Sequence, residues 1–270
     1  MQHGRCRLFA LTGIVITGLS GASAVPVFDL LPDVITNPEY LLDTEVRDDI
    51  QAGRVFLTLS NATANVGSGP LEVYGVAPKD NGDESTQPVM QRIYRSDGSS
   101  YEVEAGVFVY HPAHEHTHLA NWARYRLREV LEGDGVGPVV ARSEKTSFCL
   151  LDSLIYDDSL PGFPGFPVYV NCGVGTQGIS VGYQDLYDKS LPDQWIDITG
   201  VPGGTYWLES EVDPANHIIE MDETNNTARV KLIIDLEDSD PGPNPQGIIA
   251  ALLALLQRIV DFLRVLFGRG

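Results

Sequence analysis

The residues best suited to chemistry are four histidines in the run His-Pro-Ala-His-Glu-His-Thr-His. They are His111, His114, His116 and His118, in a chain that has 6 histidines in all. On a β-strand alternate side chains share a face, so His114, His116 and His118 would direct their rings to one place. Imidazole is a common ligand of copper, zinc, iron and nickel. We therefore predict a metal site at these three histidines, with binding that weakens in acid because the rings become protonated.

The ligands alone leave the metal and its reaction open. Three histidines also hold catalytic zinc, whose bound water can be activated for hydrolase or lyase chemistry. Glu115 lies within the cluster and is available as the base that such a reaction needs. A three-histidine zinc enzyme is therefore an alternative to a copper protein.

A second group of polar residues has the oxygen-rich composition that calcium prefers. It lies in the segment Glu-Met-Asp-Glu-Thr-Asn-Asn and comprises Glu220, Asp222, Asn225 and Asn226. The same pattern fits an Asx-rich hairpin turn without a metal, and it is similar to the end of a cell-adhesion β-sandwich repeat. We predict a calcium site here, with the plain turn as the alternative.

The elements that must position these groups have the pattern of short strands. Apolar or alternating runs bounded by Gly, Pro, Asn and Asp indicate strands. These runs are residues 54–60, 71–76, 91–94, 106–110, 194–199, 205–212 and 228–234. Residues 122–131 have features of both a strand and a helix. We predict a mainly β fold, a single β-sandwich-like domain whose long loops carry the site.

The acidic balance of the chain limits its partners. With 37 acidic and 18 basic residues, the formal net charge is −19. Nucleic acid is not expected as a partner, because proteins that bind it carry a basic surface. A negative surface attracts cationic partners such as amines or lysine-rich proteins, and it serves solubility equally well.

The two ends of the sequence differ from its middle. Residues 1–24 resemble a secretory signal, with a basic start, a short apolar stretch and a small-residue cleavage site. Residues 25–234 would form the folded domain, and the acidic, proline-rich residues 235–246 a linker. Residues 247–270 would form a C-terminal amphipathic helix. Its apolar part, 247–267, favours a membrane surface or self-association, with packing onto the domain as the alternative. We expect a secreted or cell-surface protein.

The cysteines point to one disulfide. Cys6 would be removed with the signal, which leaves Cys149 and Cys172 in an oxidising compartment. We predict that these two are bridged. Two buried free thiols are the alternative.

Several segments, in order along the chain, resemble those of lysyl oxidases, which are copper amine oxidases. FVYHPAHEHTH at 108–118 is similar to the copper-binding segment. KTSFCLLD at 145–152 is similar to the segment around the cofactor lysine, and QGISVGYQDLY at 177–187 to that around the cofactor tyrosine. QWIDIT at 194–199 and the acidic turn at 220–226 complete the set. The resemblance extends over nearly all of the predicted domain.

The resemblance implies roles for individual residues. His114, His116 and His118 would hold copper. Lys145 and Tyr187 would cross-link to lysine tyrosylquinone, a cofactor that forms from these side chains with copper and dioxygen. The quinone would oxidise a primary amine to an aldehyde, with release of hydrogen peroxide and ammonia.

The base that removes the α-proton of the amine has two candidates. His111 is one, because it lies beside the predicted ligands. Asp185 is the other, because it is two residues from Tyr187 and would share its face on a strand. The sequence does not decide between them.

The resemblance also extends the calcium cluster and bears on the cysteines. It adds Asp33 and the backbone carbonyl of Val34, so that calcium would tie the start of the domain to its end. Tyr110 stands where animal members have a tryptophan, and Ala113 and Asp193 stand where they have cysteines. Both remaining cysteines thereby lack their usual partners, which is a further reason to pair them. Collagen or elastin specificity is not implied.

The substrate and the existence of turnover remain separate expectations. The amine could be peptidyl lysine in a surface protein or a free polyamine. The alternative to an enzyme is a secreted, metal-binding β-sandwich module for adhesion or interaction. Lys145 and Tyr187 discriminate the two, because only the oxidase needs them to become a quinone.

Overall fold

The structure of the protein, a computed structural model, describes residues 26–76, 86–111, 115–172 and 175–236. Two 3₁₀ turns, at Tyr40–Leu42 and Glu132–Asp134, are the helical elements of these ranges. In chain order the strands are β1 (Asp29–Leu30), β2 (Val34–Thr36), β3 (Thr44–Arg47), β4 (Phe56–Leu59), β5 (Asn61–Asn65), β6 (Leu71–Gly75), β7 (Thr86–Arg95), β8 (Ser100–His111), β9 (His116–Leu119), β10 (Ala123–Leu131), β11 (Gly135–Arg142), β12 (Leu154–Ile155), β13 (Thr176–Ile179), β14 (Tyr183–Tyr187), β15 (Trp195–Asp197), β16 (Gly204–Val212) and β17 (Thr227–Ile234).

The strands form several antiparallel sheets. A six-stranded sheet has the order β13-β6-β7-β8-β9, with β1 also paired to β7. Two four-stranded sheets have the orders β11-β10-β16-β17 and β12-β14-β5-β2, and a three-stranded sheet has the order β15-β4-β3. The two segments that carry the site chemistry, β9 and β14, therefore belong to different sheets, and packing must bring them together.

One apolar core joins the sheets. Phe108 of β8, Leu59 of β4, Leu127 of β10 and Ile179 of β13 are all buried in it. β4 and β5 are buried along their whole lengths, so polar side chains of β5 need partners. Asn65 has them: its amide nitrogen donates to the carbonyls of Gly69 and Ile179.

The outer face of the β10-β16-β17 sheet carries an ion-pair network. Along β10, apolar residues are buried and alternate with arginines, as expected for a sheet with one face on the core. The carboxylate of Glu209 on β16 is fully buried and pairs with Arg126, Arg128 and Arg229. The three guanidinium groups neutralise this carboxylate, which would be costly to bury alone.

The fold class agrees with the sequence: the protein is mainly β, with several sheets. Residues 122–131, whose pattern was ambiguous, are a strand. The predicted signal at 1–24, the C-terminal helix at 247–270 and nearly all of the linker at 235–246 lie outside the described residues. No helix in the described ranges is long and apolar enough to cross a bilayer.

Candidate active site

β8 and β9 bring three of the four clustered histidines together. In their antiparallel pairing His111 lies opposite His116. The Nε2 atoms of His116 and His118 are 3.0 Å apart, and the ring centroids of His111 and His118 are 5.0 Å apart. His118 is buried, with 2% of its surface exposed. His114 lies outside the described residues.

The imidazoles of His116 and His118 could supply two of the ligands of a metal ion. Metal–imidazole bonds are about 2.0 Å long, so two Nε2 atoms 3.0 Å apart can reach one ion. In the described part of the chain, no three His, Cys, Asp or Glu side chains are arranged to hold a metal. A complete site would need a further ligand, for which His114 is the sequence candidate.

Lys145 and Tyr187 meet from two separate segments. Tyr187 is the last residue of β14, and Lys145 lies in the loop after β11. The Lys145 Nζ is 5.1 Å from the centroid of the Tyr187 ring, and it donates to the carbonyl of Pro192 at 3.3 Å. Phe148 packs edge-on against Tyr187, with centroids 4.8 Å apart. The amine therefore lies over the tyrosine ring to which, as the family resemblance implies, it would bond.

The phenol oxygen of Tyr187 is fixed by one residue. The N–H of Cys149 donates to it at 2.9 Å, and it donates to the Cys149 carbonyl at 2.8 Å. Burial raises the pKa of Tyr187 well above its ordinary value, and the charge of Asp185 adds to this. Burial lowers the pKa of Lys145, opposed by the charge of Asp193. Burial thus acts towards the neutral amine, the nucleophilic form of lysine, and the charge of Asp193 acts against it.

Two cavities flank Lys145. The Trp195 cavity, of about 720 Å³, is lined by Ile50, Gln51, Arg54, Phe56, His111, His118, Arg142, Glu144, Lys145, Thr146, Ser147, Asp193, Trp195 and Asp197. The Tyr187 cavity, of about 260 Å³, is lined by His116, His118, Lys145, Leu151, Ser153, Cys172, Asp185, Leu186, Tyr187, Leu191 and Pro192. His118 and Lys145 line both. A third cavity, of about 860 Å³ beside Tyr40 and Tyr156, contains none of the predicted site residues.

The two candidate bases face different cavities. His111 lines the Trp195 cavity, whereas Asp185 lines the Tyr187 cavity. Asp185 is buried, and burial raises its pKa to about 8. Its Oδ1 accepts a hydrogen bond from the Ser153 hydroxyl at 3.0 Å. Glu115, the candidate base of the zinc alternative, is exposed in a turn and lines neither cavity.

The structure gathers most of the predicted calcium cluster. The Glu220 carboxylate accepts the Val34 N–H at 2.7 Å and the Asn226 amide at 2.6 Å. The Asn225 amide donates to Asp33 at 2.8 Å. Among the described residues, the Oδ1 atoms of Asn225 and Asn226 are buried without a hydrogen-bond partner, and amide oxygens are of the type that calcium binds.

Asp222 differs from the other members of that cluster. It is exposed, and its Oδ1 accepts hydrogen bonds from the N–H and hydroxyl of Thr224. This is the Asx-turn arrangement that was the alternative for the whole segment. The structure therefore has the turn at Asp222, and the calcium site around Glu220 stays a prediction.

The predicted disulfide is present between Cys149 and Cys172. The loop that it closes is organised by the buried Asp152. One oxygen of Asp152 accepts the N–H groups of Val168 and Tyr169, and the carboxylate also accepts the N–H and hydroxyl of Ser180. The disulfide and Asp152 together hold the segment that fixes the Tyr187 oxygen.

Sequence reasoning missed several residues that position the site. Gln177 is fully buried, accepts the N–H of Leu150 at 3.1 Å and donates to the carbonyl of Thr117 at 2.7 Å. It therefore ties the histidine strand to the lysine segment. Gln177 and Asp152 both lie inside the quoted motifs, but neither has a pattern that marks it as a connector.

The sequence of this chain is similar to those of known lysyl oxidases. The family model for lysyl oxidase matches residues 95–239, more than half of the 270 residues. Lysyl oxidase homolog 1 of Homo sapiens is 36% identical over 124 residues, which are 46% of this chain and 20% of that protein. Lysyl oxidase homolog 2 of Xenopus laevis is 31% identical over 147 residues, 53% of this chain and 18% of that protein. Lysyl oxidase homolog 3 of Homo sapiens is 35% identical over 123 residues, 45% of this chain and 15% of that protein. Each match spans a fifth or less of the relative's length.

Proposed function

This chain belongs to the lysyl oxidase family, and on that premise we propose that it oxidises primary amines to aldehydes with copper and a quinone made from its own side chains. The observation that carries the proposal is the Lys145 amine 5.1 Å from the centre of the Tyr187 ring, beside the histidine cluster. A surface module without turnover would have no need to hold these two side chains together.

His114, His116 and His118 would hold the copper. When bound, copper with dioxygen would supply the oxidation that joins Lys145 and Tyr187 as lysine tyrosylquinone, the electron acceptor for the amine. The protein's own residues prepare this step. Cys149 holds the phenol oxygen, and burial favours the neutral amine of Lys145.

The substrate would be a cationic primary amine, either peptidyl lysine of a surface protein or a polyamine. The net charge of −19 favours the approach of such molecules. The Trp195 cavity supplies aromatic walls from Phe56 and Trp195, and carboxylates from Glu144 and Asp193. Arg54 and Arg142 also line this cavity, so the aromatic walls and the carboxylates are the parts that match an aliphatic chain with an ammonium end.

A calcium ion would be held by the cluster around Glu220. The supporting observation is the pair of buried Oδ1 atoms, of Asn225 and Asn226, that have no hydrogen-bond partner in the described part of the chain. Asp33 and Glu220 would supply charge, Asp222 a further carboxylate, and the Val34 carbonyl a neutral oxygen. The ion would stabilise the domain rather than take part in amine oxidation.

We place the mature protein outside the cytoplasm, secreted or at the cell surface. The disulfide between Cys149 and Cys172 supports this, because such bonds persist in oxidising compartments. The signal-like sequence at 1–24 agrees. The apolar residues 247–267 would serve attachment to a membrane surface or self-association.

The visible spectrum tests the function. The secreted protein is loaded with copper in air, and its absorption is recorded before and after phenylhydrazine, which reacts with quinone carbonyls. A quinone band that shifts with phenylhydrazine is expected in the native protein and not in Lys145→Ala or Tyr187→Phe.

Two matched variants control for general damage. Lys189→Ala removes a lysine that pairs with Asp43 instead. Tyr183→Phe removes a hydroxyl from the same strand, β14. Both should keep the band. A native protein that binds copper but stays colourless and inert to phenylhydrazine would contradict the oxidase function and favour the non-catalytic module.

A further inference from the structure

Asp185 is a buried carboxyl group in the wall of the cavity where the cofactor residues meet. It is 3% exposed and shares the Tyr187 cavity with Lys145, Tyr187 and His118. On β14, Asp185 and Tyr187 are two residues apart and so lie on one face of the strand. A substrate carbon that reacts at the Tyr187–Lys145 pair would lie within this small cavity.

The two oxygens of the Asp185 carboxyl group differ in their hydrogen bonding. Oδ1 accepts the Ser153 hydroxyl at 3.0 Å. Oδ2 is buried and has no hydrogen-bond partner among the described residues. A buried polar atom without a partner costs free energy, and such an atom needs an explanation. One explanation is that this oxygen accepts a proton from a bound substrate.

We propose that Asp185 is the base that removes the α-proton of the bound amine, an inference that rests on the amine-oxidase function proposed above. The C–H bond beside the nitrogen breaks, the proton passes to the Asp185 carboxylate, and the electron pair passes to the oxidised cofactor. Dioxygen then takes the two electrons. In sum, R–CH₂–NH₂, O₂ and H₂O give R–CHO, NH₃ and H₂O₂.

The surrounding charges agree with this role. Burial raises the pKa of Asp185 to about 8, and the charge of Asp152 adds to the rise. The hydrogen bond from Ser153 and the nearby backbone of Leu151 lower the pKa and so act in the opposite direction. Tyr125 and Tyr187 lie close enough to sense its charge, and Lys145, His116 and His118 line the same cavity. A base works best when its pKa is near the working pH.

His111 is placed less well for the same task. It lines the Trp195 cavity with Arg54 and Arg142 and lies opposite His116 in the β8–β9 pair. The Tyr187 ring is not part of that cavity. His111 therefore lines a cavity that does not contain the Tyr187 ring, whereas Asp185 lines the cavity that does.

The first test is Asp185→Asn, with Asp188→Asn as the matched control. Asp188 lies just beyond β14, is exposed and hydrogen-bonds Ser190. With 1-aminopentane as substrate, Asp185→Asn should lose at least about 100-fold in kcat/KM, the range that general bases contribute, whereas Asp188→Asn should match the native protein. Asp185→Asn should still react with phenylhydrazine, because that reaction removes no α-proton.

A second variant keeps the test decisive if Asp185→Asn forms no cofactor. Ser153→Ala removes the hydrogen bond that lowers the pKa of Asp185. The acidic limb of its kcat/KM profile should therefore shift to higher pH, and the carboxyl C=O stretch in infrared spectra of the copper-free protein should titrate at higher pH in parallel. That infrared band should be missing in Asp185→Asn.

The outcomes separate this inference from the proposed function. A native protein without a phenylhydrazine-sensitive band would overturn the oxidase function itself. A native band, together with undiminished turnover in Asp185→Asn or an unshifted profile in Ser153→Ala, would overturn the role of Asp185 alone.

Discussion

Individual residues of the histidine cluster give the sharpest prediction. His116 and His118 have Nε2 atoms 3.0 Å apart, so either ring is expected to be a metal ligand. His116→Ala should lower copper affinity by more than the roughly 10- to 100-fold that loss of an outer-shell partner costs. Copper content, measured by elemental analysis after dialysis, and the quinone band should fall together.

The control for that experiment is His217→Ala. His217 is exposed, lines neither cavity, and its N–H donates to Asp213. It should retain both copper and the band. Full copper content and activity in His116→Ala would exclude this residue from the metal site.

The raised pKa of Asp185 also leads to a prediction of how the free energy of unfolding depends on pH. Its folded-state pKa of about 8 is above its ordinary value of 3.8, so the folded state holds a proton that the unfolded state has lost. The resulting stabilisation is fully present below the unfolded pKa and is lost as pH rises through about 8. Asp185→Asn, which cannot ionise, should therefore gain stability relative to the native protein between pH 6 and pH 9.

Urea unfolding at these two pH values measures the difference. Asp188→Asn is again the control, because hydrogen bonds from Ser190 lower the pKa of that exposed carboxyl. A native-to-variant difference that stays constant with pH would mean that Asp185 ionises normally in the folded protein.

At the residue scale, the sequence predicts functional residues that are close together along the chain. It does not reveal residues that only the fold brings together. Four histidines in one run are visible without a structure. Lys145 and Tyr187 are not, since nothing local distinguishes Tyr187 among 11 tyrosines, and only the resemblance selected them. The buried Oδ2 of Asp185, which has no hydrogen-bond partner among the described residues, results from packing around β14. No local sequence pattern predicts that packing.

At the scale of elements, strands with strong periodicity were predicted well. The runs at 205–212 and 228–234 correspond closely to β16 and β17. The run at 122–131 was ambiguous because its arginines alternate with apolar residues but also recur at helical spacing. Pairing with β16 settles it, since the Arg126 and Arg128 side chains meet Glu209 across the strands.

That network predicts a large stability effect on one sheet. Glu209→Ala would leave three arginines around a buried site without their carboxylate. Removal of one partner from a buried ion pair costs about 3 to 5 kcal/mol, so the midpoint of urea unfolding should fall strongly.

The matched control is Asp49→Ala. Its pair with Arg47 is open to solvent, and exposed pairs contribute little. Its unfolding midpoint should be unchanged within error. A Glu209→Ala variant as stable as Asp49→Ala would mean that the network does not stabilise the β10-β16-β17 sheet.

At the scale of the whole molecule, the calcium cluster joins distant parts of the chain. Glu220 binds the N–H of Val34 across 186 residues. A ligand that binds only the folded state stabilises it by about 2.7 kcal/mol at 100 times its Kd. Calcium should therefore raise Tm relative to EDTA, and Asp33→Asn should abolish the response.

Asp97→Asn controls for charge and turn chemistry. Asp97 also caps a turn, through Ser99, but lies apart from the cluster in an exposed hairpin. It should leave the calcium response intact. A Tm that is equal in calcium and in EDTA would favour the plain turn.

The Cys149–Cys172 bond has a consequence for the timing of maturation. The N–H and the carbonyl of Cys149 both hydrogen-bond the Tyr187 oxygen, and Cys149 is itself clamped by the disulfide to Cys172. In a reducing cytoplasm the two cysteines stay reduced, so the disulfide that constrains Cys149 is absent. The clamp would close only after export, and the ring would be aligned with Lys145 only after that. The proposed oxidase, whose reaction would yield hydrogen peroxide, would thus stay inactive inside the cell that makes it.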